Sequence, residues 1–151
     1  MNTTTKTNSD DIDQLNSFLR GEMSAVETYD QAIEKFRDEP GLAETLRTCR
    51  SSHDRRVSAL KSEVQRLGGA PAEGSGAWGA FAKLVEGGAK IFGKGAAIDA
   101  LEQGEDHGRD DYKDDLEKLS PAIREFVQRQ LQPEQTRTHD AVSRLKKTMS
   151  A

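Results

Sequence analysis

The first run of hydrophobic positions repeats at intervals of three and four, the spacing that places side chains on one face of an α-helix. One carboxylate, Glu22, stands in the middle of this otherwise apolar series. The series comprises Ile12, Leu15, Leu19, Glu22, Val26, Tyr29, Ile33 and Phe36. A carboxylate in a protein interior is costly unless a partner balances its charge or coordinates it. The pattern therefore predicts a buried partner for Glu22.

A second series with helical spacing follows a short turn around Pro40 and includes one histidine, His53. Its members are Leu42, Leu46, Cys49, His53, Val57, Leu60, Val64 and Leu67. A short connection makes two consecutive helices antiparallel. Because Glu22 and His53 lie at similar distances from the turn, we expect the two side chains to face each other.

Two further helical series follow a glycine-rich stretch. The third consists of Ile98, Leu101, Glu105, Gly108, Tyr112, Leu116 and Leu119. The fourth consists of Ile123, Val127, Leu131, Gln135, His139, Val142, Leu145 and Met149. Pro133 interrupts the backbone hydrogen bonds of the fourth helix, so a kink is expected there.

These patterns predict an all-α, single-domain chain. The helices should span about residues 10–37, 41–67, 96–119 and 121–149, and residues 1–8 should form a disordered lead. Residues 68–95 contain many glycines together with Trp78 and Phe81, and predict a long crossover bearing a short amphipathic helix. This crossover either covers core residues or docks a partner.

Composition limits the classes of function. The formal charge of −4 argues against nucleic acid as a partner. No apolar run is long enough to span a membrane, and the amino-terminal residues lack the apolar core of a signal peptide. The single cysteine, Cys49, excludes an internal disulfide and fits a reducing, cytoplasmic setting.

The third helix repeats a signature of the first. Glu22 precedes Tyr29 by seven positions, and Glu105 precedes Tyr112 by the same interval. A small residue follows each glutamate three positions later, Ala25 and Gly108, and should leave space above the carboxylate. The second and fourth helices share a His-Asp pair, at His53-Asp54 and His139-Asp140. The order Glu, His, Glu, His predicts a two-fold arrangement of four inward residues.

In these signatures the chain resembles the ferritin-like superfamily, and in particular the first and third helices of rubrerythrin-type proteins. The crossover that begins Gly68-Gly69-Ala70-Pro71 resembles more closely an uncharacterised bacterial family of ferritin-like four-helix bundles of unknown function. The resemblance implies an up-down-down-up bundle. Members with di-iron sites carry one Glu on each of two helices and Glu-x-x-His on each of the others.

Matched to that pattern, the resemblance implies a metal set of Glu22, His53, Glu105 and His139. The glutamates expected three positions before the histidines are replaced by Arg50 and Thr136. A full di-iron centre would lack bridging carboxylates, whereas a single iron or zinc ion would have enough ligands. Second-tier candidates are Glu102, Cys49, Tyr29 and Tyr112.

Three functions remain open at this point. The first is a non-catalytic bundle with a stress-related or interaction role, in which the inner polar residues pair with one another. The second is an iron- or zinc-binding metalloprotein, with oxidase or peroxidase activity of rubrerythrin type. The third is a partner-binding helical module that uses the crossover. Analogy with ferritin-like bundles also suggests a homodimer.

Overall fold

The computed structural model of the chain describes residues 2–76 and 94–150, and these ranges contain helices and no strand. Helix α1 spans Asn2–Lys35, α2 spans Pro40–Arg66 and α3 spans Lys94–Asp114. Helix α4 consists of Pro121–Phe126, a π-helical stretch Val127–Leu131, and Gln132–Ser150. A 3-10 turn, Leu116–Lys118, precedes it. The predicted all-α class is confirmed.

Cross-helix contacts give the direction of each helix. Both α2 and α3 run antiparallel to α1, and α4 runs antiparallel to α3, so the described helices point up, down, down and up. The contacts that show this are Glu22–His53 and Asp30–Arg50 for α1 and α2, Glu22–Tyr112 and Tyr29–Glu105 for α1 and α3, and Asp106–His139 and Glu102–Lys146 for α3 and α4.

The core consists of two apolar clusters with a polar layer between them. One cluster surrounds Leu15, Leu60 and Ile123, and the other surrounds Phe36, Leu46 and Ile98. Buried polar side chains from all four helices lie at the level between the clusters. No helix in the described ranges is long and apolar enough to cross a bilayer.

Helix α1 begins earlier than the sequence predicts. It starts at Asn2, and Ser9, a residue type that often caps the start of a helix, lies inside it. The Asn8 side chain donates a hydrogen bond to the carbonyl of Leu67, which ties this turn to the end of α2. Asp11 is buried and accepts hydrogen bonds from Ser120 N (3.0 Å) and Ser120 Oγ (2.6 Å). The Asp11 carboxylate of α1 therefore binds the residue immediately before α4 and links the two helices.

The predicted end of α2 is confirmed. Gly68 has φ +84°, a conformation that favours glycine, and its N–H donates to Gln65 O. The N–H of Gly69 donates to Val64 O, which completes a Schellman motif. Asn16 of α1 then holds the departing chain, because its side chain bonds Ala70 O and Ala72 N. The predicted amphipathic helix of the crossover lies mostly in residues 77–93, outside the described residues.

Helix α4 accommodates Pro133 by winding more loosely just before it. The N–H of Gln132 donates to Val127 O, five residues back, as in a π-helix. An ordinary α-helix would place the Pro133 ring against the carbonyl of Arg129, with no N–H to bond it. The irregularity that was predicted at Pro133 is therefore a π-helical stretch that ends two residues earlier.

Candidate functional site

The polar layer is centred on His53, which lies between two glutamates. His53 Nδ1 is 2.6 Å from Glu22 Oε2, and His53 Nε2 is 2.7 Å from Glu105 Oε2. All three side chains are buried. Because both ring nitrogens face carboxylate oxygens, the imidazolium form, which has two N–H donors, fits this position. The expectation that Glu22 and His53 face each other is confirmed, and Glu105 joins them.

The two tyrosines of the repeated signature exchange partners across the bundle. Tyr29 on α1 donates to Glu105 Oε2 on α3 at 2.5 Å, and Tyr112 on α3 donates to Glu22 Oε1 on α1 at 2.5 Å. Each of the two helices therefore supplies a hydroxyl group that donates a hydrogen bond to the carboxylate on the other helix. Because α1 and α3 are antiparallel, the seven-residue interval between Glu and Tyr makes both contacts at once.

A second buried cation, Arg56, completes the layer. Its Nη1 is 3.2 Å from Glu22 Oε1, and its Nη2 donates to Thr138 Oγ1 at 2.9 Å and to Ser52 Oγ at 3.3 Å. Arg56 lies one turn after His53 on α2, on the same face. Arg50, which stands where the Glu-x-x-His pattern has its glutamate, pairs with Asp30 at the surface. Sequence reasoning missed Arg56, and the interval of three from His53 was the available signal.

Helix α4 contributes uncharged side chains to the layer. Thr138 Oγ1 donates to Glu105 Oε1 at 2.7 Å, and Gln135 Nε2 donates to the same oxygen at 3.2 Å and to the Glu105 carbonyl at 2.8 Å. His139 does not reach the interior. It bonds Asp106 Oδ1 at 2.5 Å and retains 18% side-chain exposure. The predicted ring of two acids and two imidazoles is therefore wrong in its fourth member, and Thr138 takes the place of His139.

The second-tier residues divide between interior and surface. Cys49 is buried in the apolar cluster that includes Tyr29. Glu102 pairs with Lys146 of α4 at 2.9 Å and is partly exposed. Of the second-tier set, only the two tyrosines contact the central carboxylates directly.

The mutual charges shift the pKa values of the buried groups. Burial alone would raise the pKa of Glu22, but Arg56 and His53 lower it to about 2. His53 and Arg56 likewise hold the pKa of Glu105 below its ordinary value against the effect of burial. Burial would lower the pKa of His53, yet Glu105 and Glu22 together raise it. Two carboxylates and two cations therefore balance each other in the interior.

The donor set does not fit a metal centre in this arrangement. A histidine ligates a metal through one ring nitrogen, but the two nitrogens of His53 face different carboxylates. Arg56 takes up the remaining space beside Glu22. Within the described ranges, no group of three or more His, Cys, Asp or Glu side chains is arranged to hold a metal ion. The contacts instead form a closed hydrogen-bonded network.

A cavity of about 60 Å³ lies beside this network, between α1 and α3. That volume holds a few water molecules. Small residues open the space, as expected from Ala25 and Gly108, and Gly21 and Gly104 add to it. His53, Arg56 and Gln135 form part of the polar floor.

The cavity wall contains the same positions from both helices. Each of the seven lining residues of α1 from Phe18 to Tyr29 has a counterpart 83 positions later on α3 that also lines the cavity. The polar rim breaks this symmetry, because Ser24 and Thr28 of α1 correspond to His107 and Asp111 of α3. The cavity is therefore built from the two halves of the repeated Glu and Tyr signature.

Residues 10–118 match the family described as "Domain of unknown function (DUF2383)". The chain belongs to this family. The matched region includes Glu22, His53, Arg56, Glu105 and both tyrosines, and it ends before α4. No protein with a curated description and no solved structure shows significant similarity to the chain.

Proposed function

We propose that the protein is a non-catalytic helical bundle of ferritin-like type, in which a salt-bridged polar layer takes the place of a metal centre. Its role would then be stress-related or one of interaction rather than redox chemistry. The observation that carries this proposal is the position of His53 between Glu22 and Glu105, with Arg56 on Glu22.

Charge balance is the first argument. The interior carboxylates of di-iron proteins need positive charge, which the metal ions supply. Here His53 and Arg56 supply two positive charges to Glu22 and Glu105, within hydrogen-bond distance. Metal ions at this position would meet two cations and too few carboxylates.

The spacing of the inner residues is the second argument. In the family pattern, helices two and four each carry Glu-x-x-His facing inward. The inward residues of α2 at that interval are His53 and Arg56, and those of α4 are Gln135 and Thr138. Three of these four residues, Arg56, Gln135 and Thr138, are of types that do not serve as metal ligands in such sites. The resemblance extends to the scaffold, whereas the ligand set has been replaced.

A metalloprotein that binds one iron or zinc ion is the second candidate. It is favoured by the close approach of Glu22, His53 and Glu105, each contributed by a different helix. Rotation of the His53 ring and loss of its second proton would be needed to free a nitrogen for a metal. Oxidase or peroxidase activity would be expected only in this second case.

Metal analysis of the purified chain separates the two candidates. The chain is loaded with Fe(II) or Zn(II) in the absence of oxygen, desalted, and its metal content is measured beside Glu22→Ala, His53→Ala and His139→Ala variants. The His139→Ala variant is the matched control, because that histidine lies outside the polar layer. We expect no stoichiometric metal in the parent chain and no peroxidase activity after loading.

One metal ion per chain that is lost in Glu22→Ala and His53→Ala, but retained in His139→Ala, would overturn the proposal in favour of the metalloprotein. Metal that is lost only in His139→Ala would indicate a surface site and leave the polar layer metal-free. A stability measurement on each variant supports the same distinction. His53→Ala should destabilise the metal-free chain strongly, and His139→Ala should change its stability little.

A further inference from the structure

The four helices of the bundle differ in the sign of their charge. Helices α1 and α3 each contain seven acidic and three basic residues, whereas α2 and α4 each contain three acidic and six basic residues, with histidine counted as neutral. Helices of like charge are neighbours, since hydrogen bonds join α1 to α3 and α2 to α4. The bundle therefore has an acidic side, α1 and α3, and a basic side, α2 and α4.

The two sides carry equal and opposite surface charges. Four of the charged side chains are buried, Asp11, Glu22, Glu105 and Arg56. Without these four, the acidic side holds eleven acidic and six basic residues, a charge of −5, and the basic side holds the reverse, a charge of +5. Both members of every ion pair enter these counts, so ion pairs within one side leave the charge of that side unchanged.

Ion pairs also join the two sides along the edges where an acidic helix borders a basic one. Arg50 of α2 pairs with Asp30 of α1, and Lys146 of α4 pairs with Asp99 of α3. Each of these pairs removes one charge from each side. An excess of one sign therefore remains on the outer surface of each side.

The excess on the basic side lies in arginines that bond glutamates of α2 and α4 themselves. Their side chains are between 60% and 78% exposed, and they are Arg55, Arg66, Arg129 and Arg137. Two of them share one carboxylate, because Glu134 lies 3.1 Å from Arg55 Nη2 and 2.7 Å from Arg137 Nη1. This cluster keeps one positive charge at the surface.

The acidic side contains the opposite arrangement. One cation, Arg109, lies between two carboxylates, with Nη1 3.6 Å from Asp106 Oδ1 and Nε 3.2 Å from Asp110 Oδ1. Asp106 also bonds His139, which is counted as neutral, and the exposed Asp114 follows one turn later. With one basic and three acidic residues, this stretch of α3 keeps negative charge at the surface.

The basic side also has an open groove, between α2 and the first half of α4. Small side chains contribute to its lining, namely Ala59, Ser62 and Ala122. Arg66 and Arg129 line it as well, one from each helix. The groove therefore combines depth with exposed positive charge, which suits an acidic helix of another protein molecule.

We propose that the basic side of one copy of the chain docks on the acidic side of a second copy. The two surfaces have equal and opposite charge, and each mixes both signs in the manner of protein surfaces. A nucleic acid would instead bring phosphates against the glutamates between the arginines, and the whole chain has a charge of −4. Because two different surfaces meet, the contact does not close as a two-fold dimer does, and it adds copies in a row.

The contact should be weak and sensitive to salt. Among the described residues, Met149 is the one large hydrophobic side chain that is exposed, so charge rather than apolar area drives the association. Sedimentation velocity of the full chain at pH 7, over a series of concentrations, measures it. We expect assembly with a Kd on the order of 100 µM in about 20 mM NaCl, and monomers in about 500 mM NaCl.

Two variants with reversed charge test which surfaces meet. Arg129→Glu/Arg137→Glu reverses the basic side, and Asp110→Lys/Asp114→Lys reverses the acidic side. Each variant alone should associate at least about tenfold more weakly than the parent chain, because its two sides then have the same sign. An equal mixture of the two variants should associate again, since each altered side finds a complementary side on the other variant.

A matched control separates the basic side from net charge. Arg37→Glu/Lys113→Glu changes the net charge as much as the basic-side variant does, but both positions lie outside α2 and α4. This control should associate like the parent chain. Circular dichroism checks that each variant is folded, and Arg129→Gln/Arg137→Gln serves if the reversed variant unfolds.

Monomers at every concentration in low salt, or assembly that persists in high salt, would overturn the proposal. It would also be overturned if the mixed variants associate no better than either alone, or if the control loses association as the basic-side variant does. Binding of a short DNA duplex by a chain that stays monomeric would assign the basic side to a polyanion. These outcomes concern the outer surface, so they are independent of the metal test of the proposed function.

Discussion

Tyr29 on α1 and Glu105 on α3 are 76 residues apart in sequence and share a hydrogen bond of 2.5 Å in the core. Tyr112 and Glu22 share the matching bond in the opposite direction, also at 2.5 Å. The repeated Glu and Tyr positions therefore do not form two separate sites. Each is completed by the other, and together they fix the level at which α1 and α3 pack.

Replacement of either tyrosine by phenylalanine should cost a similar amount of stability. Tyr29→Phe and Tyr112→Phe each remove a buried donor to a carboxylate, so each should lower the free energy of unfolding by about 1.5–3 kcal/mol. Urea denaturation of both single variants and of the double variant measures this. A loss below about 0.5 kcal/mol for either variant would contradict the reciprocal arrangement.

The two arginines of α2 provide a matched comparison. Arg56→Met leaves Glu22 without its buried guanidinium and should destabilise the chain by about 3–5 kcal/mol. Arg50→Met removes a surface pair with Asp30 and should cost at most about 1 kcal/mol. Chemical denaturation at neutral pH compares the two. Equal effects would mean that Arg56 does not balance the buried carboxylates.

The free energy of unfolding should decrease both at acidic pH, because of Glu22, and at alkaline pH, because of His53. The pKa of Glu22 is lowered from 4.5 to about 2 in the folded chain, so its contribution is present above about pH 4.5 and is lost as the pH falls toward 2. The pKa of His53 is raised above 6.5, so its contribution is complete below about pH 6.5 and is lost as the pH rises through the folded value. A maximum between about pH 5 and 6.5 follows.

Thermal unfolding of the parent chain and of two histidine variants, measured at a series of pH values, tests the predicted loss of stability above about pH 6.5. His53→Gln should abolish the decline in stability above about pH 6.5, because the titrating group is gone. His139→Gln should retain the decline, since His139 lies outside the polar layer. The same decline in His53→Gln as in the parent chain would show that another group is responsible.

The single thiol should be unreactive while the chain is folded. Burial raises the pKa of Cys49 to about 12, and the thiolate is the form that reacts with alkylating reagents. Iodoacetamide at pH 8, followed by mass spectrometry, should label the native chain roughly a thousandfold more slowly than the chain in urea. Rapid labelling of the native chain would mean that the core beside Tyr29 opens frequently.

The sequence predicts the helices and their order well, because each helix carries a continuous apolar face that only a bundle buries. It also predicts the contact between Glu22 and His53, since a short turn fixes the level of two consecutive helices. The start of α1 was predicted too late. Capping residues such as Ser9 and Asp11 favour a helix start but do not prevent the helix from continuing.

The inner residues of α2 and α4 were harder to predict. Arg56 follows Arg55 in a charged stretch, and sequence alone does not show which of two neighbouring arginines turns inward. Thr138 and His139 present the same ambiguity on α4. On that helix the π-helical stretch also changes the rotation of every later residue, and an apolar pattern does not reveal that change.

The π-helical stretch determines which residues in the later part of α4 face the core. Wound as an ordinary α-helix with no residue removed, Val127–Leu131 would turn the rest of α4 by about the angle of one residue. Glu134 and Arg137 would then point at the carboxylates in place of Gln135 and Thr138. The π-helical turn before Pro133 therefore keeps the ion pair of Glu134 and Arg137 outside the polar layer. It places the uncharged side chains of Gln135 and Thr138 inside that layer.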